Sequence, residues 1–460
     1  MTVVLFVLGV VIFAVSILVS IGLHELGHMI PAKKFGGKVT QYFVGFGPTV
    51  WSKQVGETEY GVKAIPLGGY VKIVGMLPPA AADLVDEVAY DADGQRVQRI
   101  RKSNTGLFTQ LISDARAAEW ELVRPEDSDR LFYKMASWKK IVVMAGGPTV
   151  NLLIAFFLFW LLFSTHGREL PPEVPDGAPT IAAVSECVLP YAESGRACTP
   201  TDPETPAAQA GLRPGDTITS FKGQEIGSWD QLTQLIRANR DAAAPLVYER
   251  DGQTVTTTVT TTVTARPASE DNPQLQEVGF LGVTPVQVSP LETGGPVYTL
   301  DQMGTMTVDT VKAIGTLPVK VWGVAKAIVG VEDRALDSPI SVVGGGRIAG
   351  EATAATQLST GEDFTTSDKF FFLISLVAGF NLFIGLFNFV PLLPLDGGHI
   401  ATATWEALRR RLARLRRKPD PGYADAAKLL PIAYVMAGAM LVLGVVLIVG
   451  DLVAPVQSPF

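Results

Sequence analysis

The sequence predicts a polytopic α-helical membrane protein. It has four transmembrane helices, a β-rich element after the first of them, and one α/β domain outside the membrane. Three observations carry that reading. Four uncharged stretches, residues 1–23, 141–165, 370–395 and 429–450, are long enough to cross a bilayer, which takes about 20 apolar residues. Across the 460 residues, 47% are hydrophobic yet 18% are charged, so the spans are joined by sizeable polar parts. One polar part, residues 166–369, is long enough for a domain of its own.

The first stretch runs directly into His24-Glu25-Leu26-Gly27-His28. It lacks a basic leader and a small-residue cleavage site, so it is read as a retained span and not a signal peptide. Residues i and i+4 share a helix face. His24 and His28 can therefore reach one metal ion, with Glu25 placed to take a proton from water. Ionisable groups in hydrocarbon are costly and mark functional sites. Of the four histidines, three lie in the two motifs that carry the chemistry.

Lys and Arg placement sets the orientation. Lys33, Lys34 and Lys38 follow the first span, and Lys134, Lys139 and Lys140 precede the second. Between the third and fourth lie Arg409, Arg410, Arg411, Arg414, Arg416, Arg417 and Lys418. Four spans place all three groups on one side, expected to be cytoplasmic. Residues 166–369 and both termini then lie outside. The arginine run beside two spans reads as a topology signal and a contact with anionic lipid. The net charge of −7 argues against a nucleic-acid partner.

Residues 55–76 alternate β-type residues with turn glycines, including Gly68-Gly69-Tyr70, and read as two or more short strands. Residues 79–129 are charged and Ala-rich, helical in pattern around 107–122, and expected to be partly disordered. Pro-rich residues 171–179 form a linker. Residues 180–265 form a compact α/β module, with helical periodicity over 229–240 and a hairpin around Asp251-Gly252. Residues 303–329 are patterned as an amphipathic helix. Ser338-Pro339-Ile340-Ser341-Val342-Val343-Gly344-Gly345-Gly346 is expected to be non-helical and flexible. Cys187 and Cys198 can form one bridge in an oxidising compartment.

A catalytic zinc keeps three protein ligands and one open position. The third ligand should return at the depth of the histidines. Span three ends in Asn388-Phe389-Val390-Pro391-Leu392-Leu393-Pro394-Leu395-Asp396-Gly397-Gly398-His399. Its prolines disrupt the helix, its glycines allow close backbone approach, and Asp396 is placed to meet the metal.

With these motifs, and with Gly147-Pro148-Thr149-Val150-Asn151 opening span two, the chain resembles the site-2 protease family of zinc intramembrane metalloproteases. It looks most like the RseP type of the actinobacterial branch, with one PDZ domain. Ala210-Gly211-Leu212-Arg213-Pro214-Gly215-Asp216-Thr217-Ile218 is similar to a bacterial PDZ signature, and such domains bind a peptide or chain end as an added strand. The resemblance implies that His24, His28 and Asp396 bind Zn(2+) and that Glu25 is the general base. It implies that Asn388, Asn151, Gly68, Gly69 and Tyr70 meet the substrate, and that the β element is membrane-associated. His399 matches a family position but reads here as a helix-cap or interface residue. The family spaces the two prolines of span three two apart, whereas Pro391 and Pro394 are three apart.

The organisation expected is as follows. Residues 1–30 form transmembrane helix 1, 31–78 the β element on the cytoplasmic side, 79–137 a cytoplasmic insertion and 138–165 helix 2. Residues 166–179 are a linker, 180–265 the PDZ domain and 266–368 an outer linker with amphipathic helices. Helix 3 occupies 369–398, a basic cytoplasmic loop 399–428, helix 4 429–452 and a tail 453–460.

The function implied is cleavage of single-pass transmembrane proteins, such as anti-sigma factors, in the plasma membrane after a first cut outside. That process is regulated intramembrane proteolysis under envelope stress. An inactive membrane PDZ scaffold is the alternative, yet such a relative is expected to have lost Glu25 or a ligand. A zinc transporter predicts more polar residues along several spans, and spans two and four have almost none.

Overall fold

The computed structural model describes residues 2–79, 84–90, 96–100, 107–121, 123–170, 172–193, 197–269, 272–358, 363–458 and 460. Along the chain run α1 (Thr2–Lys34), β1 (Val39–Val55), β2 (Thr58–Ile73), β3 (Leu84–Tyr90), β4 (Arg96–Ile100), α2 (Leu107–Trp120) and α3 (Ser137–Thr165). Then come β5 (Arg168–Glu169), β6 (Ile181–Val184), α4 (Pro206–Gln209), β7 (Thr217–Phe221), β8 (Gln224–Glu225), α5 (Trp229–Asn239), β9 (Ala243–Arg250), β10 (Gln253–Thr260), β11 (Thr262–Ser269), β12 (Asn272–Phe280), β13 (Val283–Pro285) and β14 (Leu291–Glu292). The chain closes with α6 (Pro296–Ile328), α7 (Val342–Ala354), α8 (Thr366–Asn388), α9 (Asp396–Leu415) and α10 (Leu430–Val453).

The chain divides into two units, residues 167–292 and the remainder. In the larger unit, α1, α3, α8 and the Ala426–Val453 stretch ending in α10 are long and apolar enough to cross a membrane. Small residues set their spacing, as in helix packing without a hydrophobic drive. A side chain on Gly27 or Gly146 would collide with the backbone carbonyl of the other, so α1 and α3 cross in near contact. Asn381 on α8 donates its buried side-chain N–H to the Ser20 hydroxyl on α1 across 3.0 Å.

Within residues 338–346, expected to be non-helical and flexible, 338–341 are non-helical but 342–346 are helical. Ser341 caps α7 by accepting from the backbone N–H groups of Val343 and Gly344, and Gly344, Gly345 and Gly346 are helical. Packing overrides the poor helix propensity of glycine. A Cβ on Gly345 would lie 2.9 Å from the Phe13 ring, and one on Gly344 would overlap the Asp451 carboxylate. Asp451 is 4% exposed and pairs with Arg334 at 2.7 Å, while its other oxygen accepts from Ser341 N–H at 2.6 Å.

Two further expectations change. The basic stretch expected as a loop over 399–428 is helical as far as Leu415, because α9 runs on from Asp396. The strands start at Val39 rather than 55, and β1 and β2 each bend to make four paired segments. Segment 69–73 pairs with 39–44, which pairs with 58–62, which pairs with 49–55. Gly45, Gly47 and Gly68 take positive φ at the bends, where other residues are strained. The Tyr42 hydroxyl ties this sheet to α1 by donating to Gly22 O at 2.7 Å. Of the 79–137 insertion, 80–83, 91–95, 101–106 and 122 lie outside the described residues, and α2 fills the expected helix.

The smaller unit centres on a four-stranded sheet in the order β10-β9-β7-β8, with α5 supplying Leu232 and Ile236 to the core. It reaches past 265 because β12 pairs with β11 and β13 returns to β6. The 210–218 signature has a structural logic. Leu212 and Ile218 enter the core, Gly211 and Gly215 take positive φ, and Asp216 pairs with Arg250 at 2.7 Å. Asp216 also accepts from Arg213 N–H at 2.8 Å. Burial pushes the Asp216 carboxyl up, but the Arg250 guanidinium and the Arg213 amide outweigh it and hold the group below its ordinary range. Cys187 and Cys198 are bonded to each other, with Cα atoms 5.9 Å apart.

Candidate metal centre

The sequence puts His24 and His28 one turn apart on α1, and the structure adds Asp396 at the start of α9. The Nε2 atoms of His24 and His28 lie 3.2 Å apart, and Asp396 Oδ2 lies 3.3 Å from each. Three donor atoms thus form a nearly equilateral triangle. An ion with zinc-like bonds to three corners of a tetrahedron sets them roughly 3.3–3.4 Å apart, so the triangle fits that ion.

The surrounding hydrogen bonds fix what those atoms present. His28 Nδ1–H donates to Val143 O at 2.8 Å, and His24 Nδ1–H donates to the Asn151 side-chain oxygen at 3.0 Å. Each imidazole has spent its proton outward, so both Nε2 lone pairs point at the carboxylate. Asp396 Oδ2 is buried and, among the described residues, has no hydrogen-bond donor. Three facing acceptors with no proton between them call for a cation.

The backbone makes room for this. A Cβ on Gly147 of α3 would overlap His28 Nε2 and lie 2.7 Å from His24 Nε2. Gly147 and Asn151 are one turn apart, so a single face of α3 supplies both the gap and the acceptor. After α8 ends at Asn388, the chain breaks over 389–395 before α9 begins. Side chains on Gly397 or Gly398 would strike the backbone of Phe389, Val390, Leu392 or Leu393. The break therefore folds against the first turn of α9 and holds Asp396 toward α1.

A cavity of about 380 Å³ opens over the triangle. Glu25, Asn388 and His399 line it, as do Gly68, Gly69 and Tyr70 of β2. Among the described residues, segment 69–73 pairs on one side only, so its other edge belongs to the sheet margin beside the cavity. A Cβ on Gly69 would come within 3.0 Å of Glu25 Cγ, which shows how closely this strand passes. Asn388 donates its amide to Ile384 O at 3.1 Å. His399, read from sequence as a cap or interface residue, lies in the first turn of α9 and faces the cavity.

Asn151, expected among the substrate-contacting residues, also lines this cavity. It is 3% exposed and accepts from His24, which makes it an orienting group. The sequence reading missed two further features. Gly147 was part of a quoted motif, but its role depends on the helix crossing. Glu406 of α9 is 1% exposed and pairs with Lys140 of α3 at 2.9 Å, and Ser137 also donates to it. It stood as a lone acid before an arginine run and gave no signal.

Comparison with known proteins gives the family. The model of peptidase family M50 matches residues 12–419. The chain belongs to that family. The zinc metalloprotease Rip1 of Mycobacterium tuberculosis (strain Erdman) is 35% identical to it, over 98% of this chain and 99% of that protein. Its counterpart in Mycolicibacterium smegmatis is 33% identical over the same shares. A putative zinc metalloprotease of Brucella suis is 27% identical over 88% of this chain and 85% of its own length. This M50 member is thus a membrane-embedded metallopeptidase, and the triangle lies within the matched residues.

Proposed function

We propose that this M50 peptidase cleaves single-pass transmembrane segments, with anti-sigma factors or similar proteins as substrates. Cleavage follows a first cut outside the membrane, as a step of regulated intramembrane proteolysis. The observation that carries this reading is the His24–His28–Asp396 triangle beside Glu25, set among helices of membrane-spanning length. His24, His28 and Asp396 hold the metal. Zinc is the cofactor, and when bound it lowers the pKa of water and polarises the scissile carbonyl.

The chain's own groups do the rest. Glu25 takes a proton from the attacking water and passes it to the departing amine nitrogen. Asn151 and the Val143 carbonyl hold the imidazoles in the tautomer that binds metal. A transmembrane helix has its amides satisfied, so the substrate must unwind before attack. The free edge at Gly68, Gly69 and Tyr70 can pair with that unwound segment as an added strand, and Asn388, which lines the same cavity, meets its backbone.

The protein resides in the plasma membrane, with the metal centre toward the cytoplasm and the 167–292 unit outside. That unit acts as a PDZ domain, which binds a peptide or chain end and excludes substrates that still carry a bulky outer domain.

The test is reconstitution in vesicles with one single-pass substrate in two forms, intact and trimmed outside. The trimmed form is expected to be cut within its apolar segment, in a manner abolished by chelation and restored by zinc. Cleavage of both forms at one rate would remove the trimming requirement. Cleavage of neither would count against the substrate class.

A further inference from the structure

We propose that α9 carries a bilayer-docking face that recognises anionic lipid headgroups. The face lies on the side of α9 opposite its packed side. Ala403 and Glu406 are buried, and Glu406 holds the helix to Lys140. Trp405, Leu408, Leu412 and Leu415 are 60%, 55%, 42% and 75% exposed. Their spacing of three and four residues puts them in one stripe. An apolar stripe on the outside of a helix already packed by its other face marks a second contact.

Charge identifies the occupant. Arg409 and Arg410 are engaged within the protein. Arg409 donates to Gly422 O at 2.8 Å, and Arg410 lies 3.5 Å from Glu406 and 3.4 Å from Asp420. Arg411, Arg414, Arg416, Arg417 and Lys418 are exposed, and among the described residues no ion pair engages them. Arg411 flanks the stripe, and the others gather at its far end. An exposed apolar stripe edged with unpaired cations fits the boundary between acyl chains and anionic headgroups. A protein partner would have to supply both acids and an apolar groove, whereas an anionic bilayer supplies the two together. The helix that begins with Asp396 thus ends in a membrane contact, so the lipid face and the metal ligand belong to one rigid element.

The experiment uses the full-length protein with Leu412→Cys, or separately Leu408→Cys, labelled with an environment-sensitive fluorophore. Cys187 and Cys198 are bonded to each other and do not compete for label. The labelled protein is placed in vesicles of phosphatidylcholine with or without phosphatidylglycerol. Quenching by spin-labelled lipid is compared with quenching by aqueous iodide.

With phosphatidylglycerol, lipid quenching and protection from iodide are expected. Arg411→Glu and Arg414→Glu should each weaken the preference for the anionic vesicle about fivefold. Iodide quenching in both vesicles overturns the proposal. So does equal lipid quenching in both, which would leave the cations idle. Protection from both quenchers also overturns it, because a protein surface would then cover the stripe. None of these readouts depends on peptidase activity.

Discussion

Gly147→Ala tests the metal centre through a single methyl group. The added Cβ would lie 2.7 Å from His24 Nε2 and closer still to His28 Nε2. A relaxed carbon–nitrogen contact is about 3.4 Å or more, so His24 must retreat by roughly 0.7 Å and His28 further. Metal–ligand bonds tolerate about 0.2 Å. Both imidazoles are also held from behind, by Asn151 and by the Val143 carbonyl. Retreat must therefore break those bonds or move α1 away from α3.

Overpacking of this kind costs about 1–3 kcal/mol, which at ~1.4 kcal/mol per decade is roughly 5- to 150-fold in metal affinity. The assay is zinc per chain in purified protein, followed by chelator competition. Gly438→Ala serves as the control, because nothing lies within 4 Å of a Cβ at that membrane-helix position. Zinc should fall in Gly147→Ala and stay in Gly438→Ala. Full zinc with unchanged chelator resistance in Gly147→Ala would refute the close approach of α3 to the histidines.

Other perturbations have defined outcomes. Asn151→Ala removes the acceptor for His24 Nδ1–H, and metal affinity should fall about 10- to 100-fold, read by the same chelator competition. Lys140→Met takes the nearest cation from Glu406, which is 1% exposed and keeps only Arg410 at 3.5 Å, a change expected to destabilise the larger unit by about 2 kcal/mol; thermal unfolding in detergent would show a lowered midpoint. In the smaller unit, Asp216 is held below its ordinary range, so its contribution is present above the unfolded value of about 3.9 and fades as pH falls through the folded one. Arg250→Met should lower protection of the β7 and β9 amides from hydrogen exchange at neutral pH and remove most of the loss seen in acid. Unchanged protection at neutral pH would deny the ion pair its role.

The chemistry was more legible in the sequence than the packing around it. His24, Glu25 and His28 declare themselves because helical period alone aligns them, and Asp396 because a carboxylate after two prolines and before two glycines has few other uses in an apolar span. Gly147 is different. Its role exists only where α1 and α3 cross, and no local pattern encodes a crossing. Gly344-Gly345-Gly346 reads as a flexible run until Phe13 and Asp451 are seen to need the missing side chains. The 399–428 region misled through its charge, although Trp405, Leu408, Leu412 and Leu415 hold a helical period in plain view. The end of the smaller unit at Glu292 depends on β14 pairing with β5, after β13 has paired with β6, non-local contacts that turn residues do not announce.

The central claim is that Glu25 carries a peptidase step on membrane-embedded substrates. The most direct measurement compares the membrane proteome of cells with the wild-type protein and cells with Glu25→Gln, at rest and under envelope stress. A few truncated single-pass fragments should accumulate in the variant and vanish when the wild type is restored. Matching membrane fractions in both conditions would contradict a catalytic role for Glu25 and favour a scaffold that keeps the fold without the reaction.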